Sequence, residues 1–424
     1  MKSVAILGAN FAGLSAASQL SNQYDVSVID HSAEFQWTPN IHEILSGVKH
    51  KSNLALDREK IVSRLGHRFI EANVNAIDME NQTLTTSSGK LINFDMCLLA
   101  AGLEGNNYGV SGVEEYALGF RSFDDALRIR KRVDELIKAD QTFTITIVGG
   151  GFTGVEVLGE LLRRYRHKSK MNVRVIEASR QLMAGQPKVI HENLMGLCEP
   201  FNIDFHLQTQ LNEITDASVI LENGQELTSQ LTIWCAGTKA PNLIDQFTYE
   251  SGGQSLVSVN NKLQSNTFKN LFVAGDLAET SLKLSKQAYH ALDMGLIAGR
   301  NMNRLLSNKP MCRFVAADKP LALAFGDLNT YLIQGKTVVA SPVLASAKEA
   351  VYQLAMLQLS RSLPLCDIGE GFKERTGATV RDYVVPELSR LKLMNTIRRS
   401  NLLQWGGIGD IETLSRALFI TATR

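Results

Sequence analysis

The chain of 424 residues lacks a dominant charge and lacks long hydrophobic runs. Lys and Arg total 44 and Asp and Glu 43, so the net charge of +1 argues against nucleic acid as a partner. No run of 18 or more apolar residues occurs, so no helix is expected to span a membrane. The amino-terminal Met-Lys runs directly into a strand-like segment, which leaves no room for a cleavable signal and predicts a cytoplasmic location.

Close cysteine pairs are also missing from the sequence. The five cysteines are dispersed, at Cys97, Cys198, Cys235, Cys312 and Cys366. Because zinc sites and redox disulfides use closely spaced pairs, neither is expected, and no metal site is predicted. Cys97 and Cys235 lie in apolar runs, where small buried core residues are the favoured interpretation over reactive thiols. The length predicts two or three domains, and 44% apolar with 21% charged residues is typical of a globular protein.

Two glycine-rich loops are what the sequence does contain. The first, ILGANFAG at 6–13, has the spacing of the dinucleotide-binding pattern G-x-G-x-x-G, except that Asn10 replaces the second glycine. The second, ITIVGGGFTG at 145–154, meets the full pattern with Gly149, Gly151 and Gly154. Each loop follows an apolar β-branched run and precedes a stretch with helical spacing. The pair predicts two dinucleotide sites, in which helix N-termini bind the pyrophosphate groups.

An acidic residue follows each loop at the end of a second strand-like run. Asp30 lies 22 residues beyond Gly8, and Glu177 lies 28 residues beyond Gly149. A carboxylate near this spacing is expected to bind a ribose 2′-hydroxyl. Because a 2′-phosphate beside Glu177 would be repelled, NADH is expected in the second site rather than NADPH. Asn10 is interpreted as a tolerated substitution, since Asn accepts left-handed backbone conformations and its amide can donate a hydrogen bond to phosphate.

Three further strand ends complete the pattern. The runs that end in Ala101-Gly102 and in Ala236-Gly237 are interpreted as return strands leaving each nucleotide domain, and LFVAGD places Gly275-Asp276 at a third strand end. The predicted fold is α/β, with two Rossmann-like dinucleotide-binding domains and a smaller C-terminal α+β region. The predicted boundaries are 1–113 with 239–310 for the first domain, 114–238 for the second and 311–424 for the C-terminal region.

Together these motifs resemble flavoproteins with two dinucleotide-binding domains, over roughly residues 1–310. Within that superfamily the chain resembles type II NADH:quinone oxidoreductases and the related ferroptosis-suppressor and apoptosis-inducing-factor-like quinone reductases. Three segments carry the resemblance, at 35–47 (FQWTPNIHEILSG), 149–161 (GGGFTGVEVLGEL) and 319–336 (KPLALAFGDLNTYLIQGK). Disulfide reductases and sulfide:quinone oxidoreductases are not favoured, because the cysteines that they need are missing.

The resemblance implies a set of site residues. FAD is expected at the first loop and NADH at the second, with Asp276 contacting the flavin ribitol. Glu156 is expected near the contact of nicotinamide and flavin, although an acid that complements the helix dipole is the open alternative. The residues expected to bind the cofactors are Gly8, Asn10, Phe11, Ala12, Gly13, Asp30, His31, Pro39, Ala101, Gly102, Gly149, Gly151, Phe152, Thr153, Gly154, Glu177, Ala236, Gly237, Gly275, Asp276 and Ala288.

One stretch departs from the type II pattern. Where those enzymes carry A-Q-x-A-x-Q-x-G, this chain aligns on Gly295 and has Tyr289 and Asp293 in place of the glutamines. The segment KQAYHA resembles the ferroptosis-suppressor branch, which implies that Lys286 stabilises negative charge on the reduced flavin. A solvated helix lysine is the alternative for Lys286. Glu156, Lys286 and Tyr289 are the predicted catalytic residues.

The C-terminal region contains two segments with helical spacing. One spans 344–363. The other, at 386–407, begins with Pro, ends in Gly-Gly and has a segment charge of +3, which suits a membrane surface. Packing on the body of the protein or at a homodimer interface is the alternative for this second helix.

The sequence therefore predicts an FAD-dependent NADH oxidoreductase with a small-molecule electron acceptor, for which a quinone is favoured. Two other functions stay open. One is a soluble FAD oxidoreductase acting on a small metabolite or a protein carrier, and the other is a flavin- and NADH-binding redox sensor whose output is a protein interaction. The expected location is cytoplasmic, with peripheral binding to the inner face of the cytoplasmic membrane as a further expectation.

Overall fold

A computed structural model describes residues 1–361 of the chain, apart from 252–253, 283 and 318. Ten helices are named here in chain order. They are α1 Phe11–Ala17, α2 His42–Ser46, α3 Lys51–Leu54, α4 Arg58–Arg64, α5 Val113–Tyr116, α6 Phe123–Lys138, α7 Phe152–Tyr165, α8 Lys188–Cys198, α9 Ala288–Leu306 and α10 Leu344–Arg361. Short 3₁₀ helices cover Thr38–Asn40 and Asn242–Phe247.

The first parallel sheet forms around the strand that precedes the first glycine loop. The strand reads Ser-Val-Ala-Ile-Leu, and all of its residues after Ser3 are apolar and buried. The order of the five strands is Leu271–Val273, Met96–Leu99, Ser3–Leu7, Asp25–Asp30 and Arg68–Glu71. A strand from residue 271 onward thus joins strands from the first hundred residues in one sheet.

A second parallel sheet repeats this arrangement around the second glycine loop. Its strand order is Ala117–Gly119, Leu231–Trp234, Phe143–Val148, Met171–Glu177 and Ile203–Leu207. In both sheets the strand before the loop is central. The strand that ends in an acid lies on one side of it, and the return strand lies on the other. The α/β class with two Rossmann-like sheets is therefore confirmed.

Small antiparallel or mixed sheets surround the two parallel ones. Three-stranded sheets comprise Val74–Asp78 with Thr83–Thr86 and Leu91–Asn93, Leu211–Ile214 with Ser218–Leu221 and Glu226–Thr228, Thr248–Ser251 with Gln254–Ser258 and Ala278–Glu279, and Leu321–Phe325 with Asn329–Gln334 and Thr337–Ala340. Two-stranded pairs join Glu34–Gln36 to Ala55–Asp57 and Glu104–Gly105 to Thr238–Lys239.

The region after residue 310 contains the sheet formed by Leu321–Phe325, Asn329–Gln334 and Thr337–Ala340, followed by α10. Its α+β character and the helix that was predicted over 344–363 are confirmed within the described residues. The buried apolar side of α10 comprises Tyr352, Ala355, Met356 and Leu359. The basic helix predicted over 386–407 lies outside the described residues, and the three domain boundaries remain predictions from the sequence.

Helix α9 packs closely against α1 because glycines stand at the contact. A Cβ on Gly295 would lie 2.1 Å from the carbonyl oxygen of Ala12, and one on Gly299 would lie 2.3 Å from that of Ala16. The Ser15 hydroxyl donates a hydrogen bond to the Leu292 carbonyl at 2.7 Å. This contact places the N-terminal end of α9, with Ala288 and Tyr289, near the first glycine loop.

Candidate active site

The two glycine loops have nearly the same backbone geometry. Gly8 and Gly149 adopt φ of +103° and +102°, a region that favours glycine. Each donates its N–H to the strand that ends in the acid, Gly8 to Ile29 and Gly149 to Ile176, both at 2.8 Å. The similarity extends to the last glycine of each pattern: a Cβ on Gly13 would lie 1.8 Å from the Gly8 carbonyl oxygen, and one on Gly154 would lie 1.8 Å from that of Gly149.

The acids at the strand ends bind the loops themselves. Asp30 accepts a hydrogen bond from the backbone N–H of Ala9 at 2.7 Å, and Glu177 accepts one from that of Gly150 at 2.6 Å. The second oxygen of Glu177 accepts from Ser179 N–H at 2.7 Å. Both carboxylates therefore fix the loop at the point where the glycine pattern begins. Their expected contact with a ribose hydroxyl remains a prediction.

Arg58 is a buried partner of the first loop that the sequence motifs did not indicate. Its Nε donates to the Ala9 carbonyl at 2.8 Å, and its Nη1 donates to Asp30 at 2.6 Å and to the Ser32 carbonyl at 2.7 Å. Burial would raise the pKa of Asp30, but the hydrogen bond from His31, the Arg58 charge and the Ala9 N–H together lower it. No glycine or spacing rule reaches Arg58, which stands 28 residues beyond Asp30.

Asn10 occupies the N-cap position of α1 with φ −109° and ψ −154°, which is extended backbone. The expectation that Asn was tolerated for its left-handed conformations is therefore wrong, since any residue adopts this geometry. Asn10 Oδ1 is buried and has no hydrogen-bond partner among the described residues. Because a buried polar atom without a partner is unfavourable, the side chain is suited to contact a polar ligand at the loop.

The other predicted cofactor residues lie in the helices, turns and return strands next to the two loops. Phe11 and Ala12 are buried in α1, Phe152 and Thr153 are half-buried at the start of α7, and exposed His31 contacts Asp30 at 3.0 Å. Pro39 is half-buried in a 3₁₀ turn beside buried Trp37. The return strands end at Ala101-Gly102 and Ala236-Gly237, and both of these glycines have positive φ, +68° and +65°. A Cβ on Gly102 or on Gly151 would meet open space.

Asp276 follows the Leu271–Val273 strand through Gly275, whose φ is +80°. A Cβ on Gly275 would lie 3.3 Å from the Cβ of Ala12, so this strand end approaches the first loop. Burial raises the pKa of Asp276, while the charges of Lys286 and Arg121 act in the opposite direction. The structure thus brings Asp276 and Lys286 together. It also adds Arg121, which binds the Leu103 carbonyl at 2.5 Å and was not predicted.

Tyr289 and Asp293, the residues that depart from the glutamine pattern, lie one turn apart on α9 and share Lys319. The Lys319 ammonium pairs with the Asp293 carboxylate, donates to the Tyr289 carbonyl at 3.2 Å and lies 5.7 Å from the Tyr289 ring centre. The Tyr289 hydroxyl is buried and has no hydrogen-bond partner among the described residues. Burial raises the pKa of Tyr289 to about 12, so the phenol stays protonated at neutral pH.

Glu156 is the fifth residue of α7 and lies beyond the first turn. Its Oε1 accepts a hydrogen bond from Lys348 of α10 at 2.9 Å, and its Oε2 lies 3.4 Å from His42 Nδ1. The opposite nitrogen of His42 lies 3.4 Å from Lys348. Burial lowers the pKa of His42 to about 4, although Glu156 acts to raise it. A neutral imidazole thus lies against the Glu156–Lys348 pair, and this cluster weakens the helix-dipole interpretation of Glu156.

Lys49 anchors α10 beside this cluster. Its side chain is fully buried, with Nζ 3.2 Å from Glu43 and in an ion pair with Glu349, the residue after Lys348. The ammonium also lies 4.3 Å from the centre of the Tyr352 ring, and the Tyr352 hydroxyl donates to the Asn53 carbonyl. Burial raises the pKa of Glu43, but Lys49 and its neighbours outweigh this effect and bring it to about 2.

Comparison with known proteins identifies the family of this chain. The model for the pyridine nucleotide-disulphide oxidoreductases matches residues 2–295, which span both glycine loops and Asp276. The chain belongs to the pyridine nucleotide-disulphide oxidoreductase family. It is accordingly an enzyme of the flavoprotein oxidoreductase class.

Relatives extend the likeness along most of the chain. The type II NADH:quinone oxidoreductase of Staphylococcus aureus (strain NCTC 8325 / PS 47) is 21% identical over 403 residues, covering 88% of this chain and 98% of the relative. Among solved structures, NDH2 from Plasmodium falciparum in complex with NADH has a TM-score of 0.75 at 16% identity, covering 90% of this chain and 98% of the other.

Two further solved structures share the fold. The sulfide:quinone oxidoreductase of Aquifex aeolicus has a TM-score of 0.75 at 18% identity, covering 90% of this chain and 96% of its own. The water-forming NADH oxidase of Lactobacillus brevis has a TM-score of 0.68 at 19% identity, covering 82% of this chain and 77% of its own. These likenesses support the resemblance to two-nucleotide flavoproteins.

Two of the cysteines that the structure describes are buried thiols. Cys97 and Cys198 are 0% and 3% exposed, and burial raises the pKa of each to about 12. Burial also raises the pKa of Cys235. Among the residues that the structure describes, no cysteines form a disulfide, and no group of three His, Cys, Asp or Glu side chains is placed to hold a metal ion.

The residues present at the first loop fit a flavin dinucleotide. Asn10 Oδ1 is an orphaned buried acceptor, Gly102 leaves open space where a side chain would stand, and the Tyr289 hydroxyl is an orphaned donor. These groups lie at the loop, at the return strand and at the start of α9, which are three of the places where the sequence motifs and the resemblance put cofactor residues.

Among described helices, none is long and apolar enough to cross a bilayer.

Proposed function

We propose that the protein is an FAD-dependent NADH oxidoreductase that transfers two electrons to a quinone. The observation that carries this proposal is the position of Glu156, five residues after Gly151 of the second loop and in contact with Lys348 and His42. An ionisable cluster at the nucleotide loop suits an acceptor that needs protons as well as electrons. The names of relatives such as the Staphylococcus enzyme support the same acceptor class.

The two loops divide the nucleotides between them. FAD is held at the first loop by the Gly8–Gly13 turn, by Asn10 and by Asp276, while NADH is held at the second loop by the Gly149–Gly154 turn. Glu177 disfavours the extra phosphate of NADPH by charge repulsion. When bound, the flavin supplies hydride acceptance from NADH and delivery of two electrons. The protein contributes position and electrostatics, through Lys286 and Arg121 near Asp276 and through the buried Tyr289 hydroxyl.

Glu156 and Lys348 are proposed to supply the proton that reduction of a quinone requires. NADH, one further proton and a quinone yield NAD⁺ and a quinol, so one proton must come from water. Lys348 is 13% exposed and Glu156 is 17% exposed, and a hydrogen bond joins them. The pair can hold this proton beside the acceptor and release it as a general acid. His42, neutral because it is buried, keeps the carboxylate of Glu156 in place.

A soluble acceptor is the second candidate, favoured by the Asp293–Lys319 ion pair. Asp293 stands on α9 where the resemblance places an amide side chain facing a quinone. A charged pair, only 20% and 18% exposed, is suited to a small polar acceptor. The chain also shares its fold with a water-forming NADH oxidase.

Turnover of NADH with a panel of quinones and soluble acceptors separates these candidates. We expect benzoquinones or naphthoquinones to give the highest kcat/KM, and turnover with soluble acceptors alone would contradict the quinone assignment. Slow bleaching of the flavin by NADH without oxygen, and negligible turnover with every acceptor, would instead support a redox sensor. NADH should be preferred over NADPH, and Glu177→Ala should weaken this preference.

Lys348→Met tests the role of the pair. Flavin reduction by NADH in a stopped-flow experiment should keep the parent rate, while reoxidation by the quinone should slow by roughly 10²-fold, as for loss of an acid catalyst. Lys336→Met, at an exposed turn, is the matched control. An unchanged reoxidation rate in Lys348→Met would remove the proton-transfer role.

The location of the acceptor leads to a test of the C-terminal segment. We infer that residues 386–407 bind a membrane surface, since their basic amphipathic pattern suits anionic lipids and a quinone would lie there. Flotation with liposomes should recover the full chain in the lipid fraction, and deletion of 386–407 should leave it in the soluble fraction. Equal soluble recovery of both would defeat this idea and leave packing on the body of the protein or at a homodimer interface as the alternative.

A further inference from the structure

A second carboxyl group lies one helical turn beyond Glu156. Glu160, also on α7, is 1% exposed. Its nearest cation is Arg163, with Nη1 3.6 Å from Glu160 Oε1. Oε2 is buried and has no hydrogen-bond partner among the described residues. An ionised carboxylate in this position would leave one oxygen without solvent or a donor, which is strongly unfavourable.

Charged groups near Glu160 come from α7 itself and from the helices α2, α6 and α10. Helix α7 contributes Glu156, Arg163 and Arg164, and α6 contributes Asp134, which pairs with Arg164. Helix α2 and the turn after it contribute His42, Glu43 and Lys49. Helix α10 contributes Lys348 and Glu349. Burial raises the pKa of Glu160 to about 7, and the Glu43 charge adds to this effect. Arg163, the Ser46 hydroxyl and Lys348 act in the opposite direction.

A small cavity lies between the partners of the two carboxyl groups. Arg163, which pairs with Glu160, lines it together with Lys348, which pairs with Glu156. Asn40, Glu43 and Glu349 complete its polar lining. A volume of about 10 Å³ is open to the centre of a water molecule, comparable to the space that one water requires. A water molecule at this point can hydrogen-bond to Arg163 and Lys348, the cationic partners of the two carboxyl groups.

We propose that Glu160 is protonated in the resting protein and supplies the proton that Glu156 and Lys348 pass to the acceptor. The proton leaves the Glu160 carboxyl and reaches Glu156, which stands four residues earlier on the same face of α7, and Glu160 then regains a proton from solvent. No electrons move in this exchange, and it accounts for the one proton that the hydride does not carry. Glu160 is thus a positioning residue for the proton, and the inference rests on the proposed function.

The protonation state is tested without turnover. In infrared spectra of the holoenzyme containing ¹³C-labelled glutamate, a carboxylic acid C=O band should be present at pH 6, decline as the pH rises to 8 and be absent from Glu160→Gln. Glu160→Gln should also raise the Tm at pH 8 by roughly 2–4 °C and change it little at pH 4.5, because the folded parent at pH 8 buries an ionised carboxylate that water solvates in the unfolded chain. The exposed Glu222→Gln is the control.

Spectra with the same carboxylic acid band in parent and Glu160→Gln would overturn the proposal, as would identical Tm profiles. If Glu160→Gln does not fold, Glu160→Met provides an uncharged side chain of similar size for both measurements. Stopped-flow kinetics then test the transfer: Glu160→Gln should keep the rate of flavin reduction by NADH and slow reoxidation by a quinone by roughly 10-fold at pH 7.5. An unchanged reoxidation rate would also overturn it.

These outcomes distinguish failure of this proposal from failure of the proposed function. A protein that reduces no quinone but shows the titrating Glu160 band would contradict the proposed acceptor and, with it, the use of the proton. A protein that reduces quinones with Glu160 ionised at pH 6 would leave the acceptor assignment intact and reject the role of Glu160.

Discussion

A buried charge is stable where fixed acceptors surround it, and Arg58 meets this condition at the first loop. Its guanidinium binds two backbone carbonyls and the Asp30 carboxylate. Arg58→Met should lower the free energy of unfolding by about 3–5 kcal/mol, since Asp30 would remain as a buried carboxylate without its cation. Flavin content should fall as well, because Ala9 loses its anchor. Denaturant titration and the ratio of flavin to protein absorbance measure the two effects.

The control for Arg58 is another arginine that pairs with an aspartate. Arg68 pairs with Asp25 at 3.4 Å, and both side chains are more than half exposed. Arg68→Met should therefore change the stability by less than about 1 kcal/mol and leave the flavin content unchanged. If Arg58→Met retained the flavin and stability of the parent, the guanidinium would have no role in holding the loop.

Single residues were predictable where a local pattern constrains them. The glycines of both loops and the two acids follow from spacing, because the turn before a helix requires backbone that only glycine provides at Gly8 and Gly149. Arg58, Arg121 and Lys348 could not be found in this way, since their partners are brought together only by the tertiary fold. Asn10 shows the limit of a conformational argument, because its backbone is extended.

Helices α1 and α9 meet through glycines, and the distance between them sets where Tyr289 stands relative to the first loop. Gly299→Ala would place a Cβ about 2 Å from the Ala16 carbonyl oxygen, and backbone cannot move aside as a flexible side chain would. We expect a loss of about 1–3 kcal/mol of stability and weaker flavin retention. Thermal unfolding and flavin release on dilution measure these changes.

Gly196 in α8 is the matched control for that substitution. It is also a helical glycine, but a Cβ there would meet no atom within 4 Å. Gly196→Ala should raise stability by up to about 1 kcal/mol, because alanine is the better helix former. Gly299→Ala with the same gain as Gly196→Ala would show that the α1–α9 contact can relax freely.

Helix α10 was predictable as a helix, although its function was not. The apolar spacing predicted a helix here, whereas the polar residues Lys348 and Glu349 make its contacts with Glu156 and Lys49. Lys49→Met should leave Glu43 and Glu349 without their shared cation and release α10. Amide exchange in residues 344–361 should become faster and stability should fall by about 3–5 kcal/mol.

Lys49→Arg and Lys188→Met are the controls for the amide-exchange measurement on Lys49→Met. Arginine keeps the charge and should retain a larger part of the protection of α10, although its planar fork does not match the lysine site. Lys188 is 75% exposed on α8, so its replacement should leave α10 unaffected. Equal exchange rates in the parent and Lys49→Met would mean that α10 is held by its apolar side alone.

At the scale of the whole molecule, the fold was the most predictable property. Two strand–loop–helix–strand units specify two parallel sheets, because each sheet places the same four features in the same order. The charged cluster between α2, α7 and α10 was not predictable, since it depends on how the C-terminal region packs on the nucleotide-binding sheets. That packing joins residues 43, 156, 160 and 348 in one electrostatic unit.

Two groups in this unit act on stability with opposite signs as the pH changes. His42 has a pKa lowered to about 4 by burial, so between pH 4 and 6.5 the unfolded chain binds one more proton and stability rises with pH. Glu160 has a pKa raised to about 7 by burial, so between pH 4.5 and 7 the folded protein binds one more proton and stability falls with pH. Each effect amounts to about 1.4 kcal/mol per pH unit.

The two effects should therefore cancel between pH 4.5 and 6.5, and single variants should reveal them. Relative to the parent, the unfolding free energy of His42→Gln should decrease as the pH rises through this window, and that of Glu160→Gln should increase, each by about 1.4 kcal/mol per unit. Urea titrations at half-unit intervals measure the slopes. His167→Gln, at an exposed histidine, should follow the parent. Parallel profiles for all four proteins would mean that His42 and Glu160 titrate alike in the folded and unfolded states.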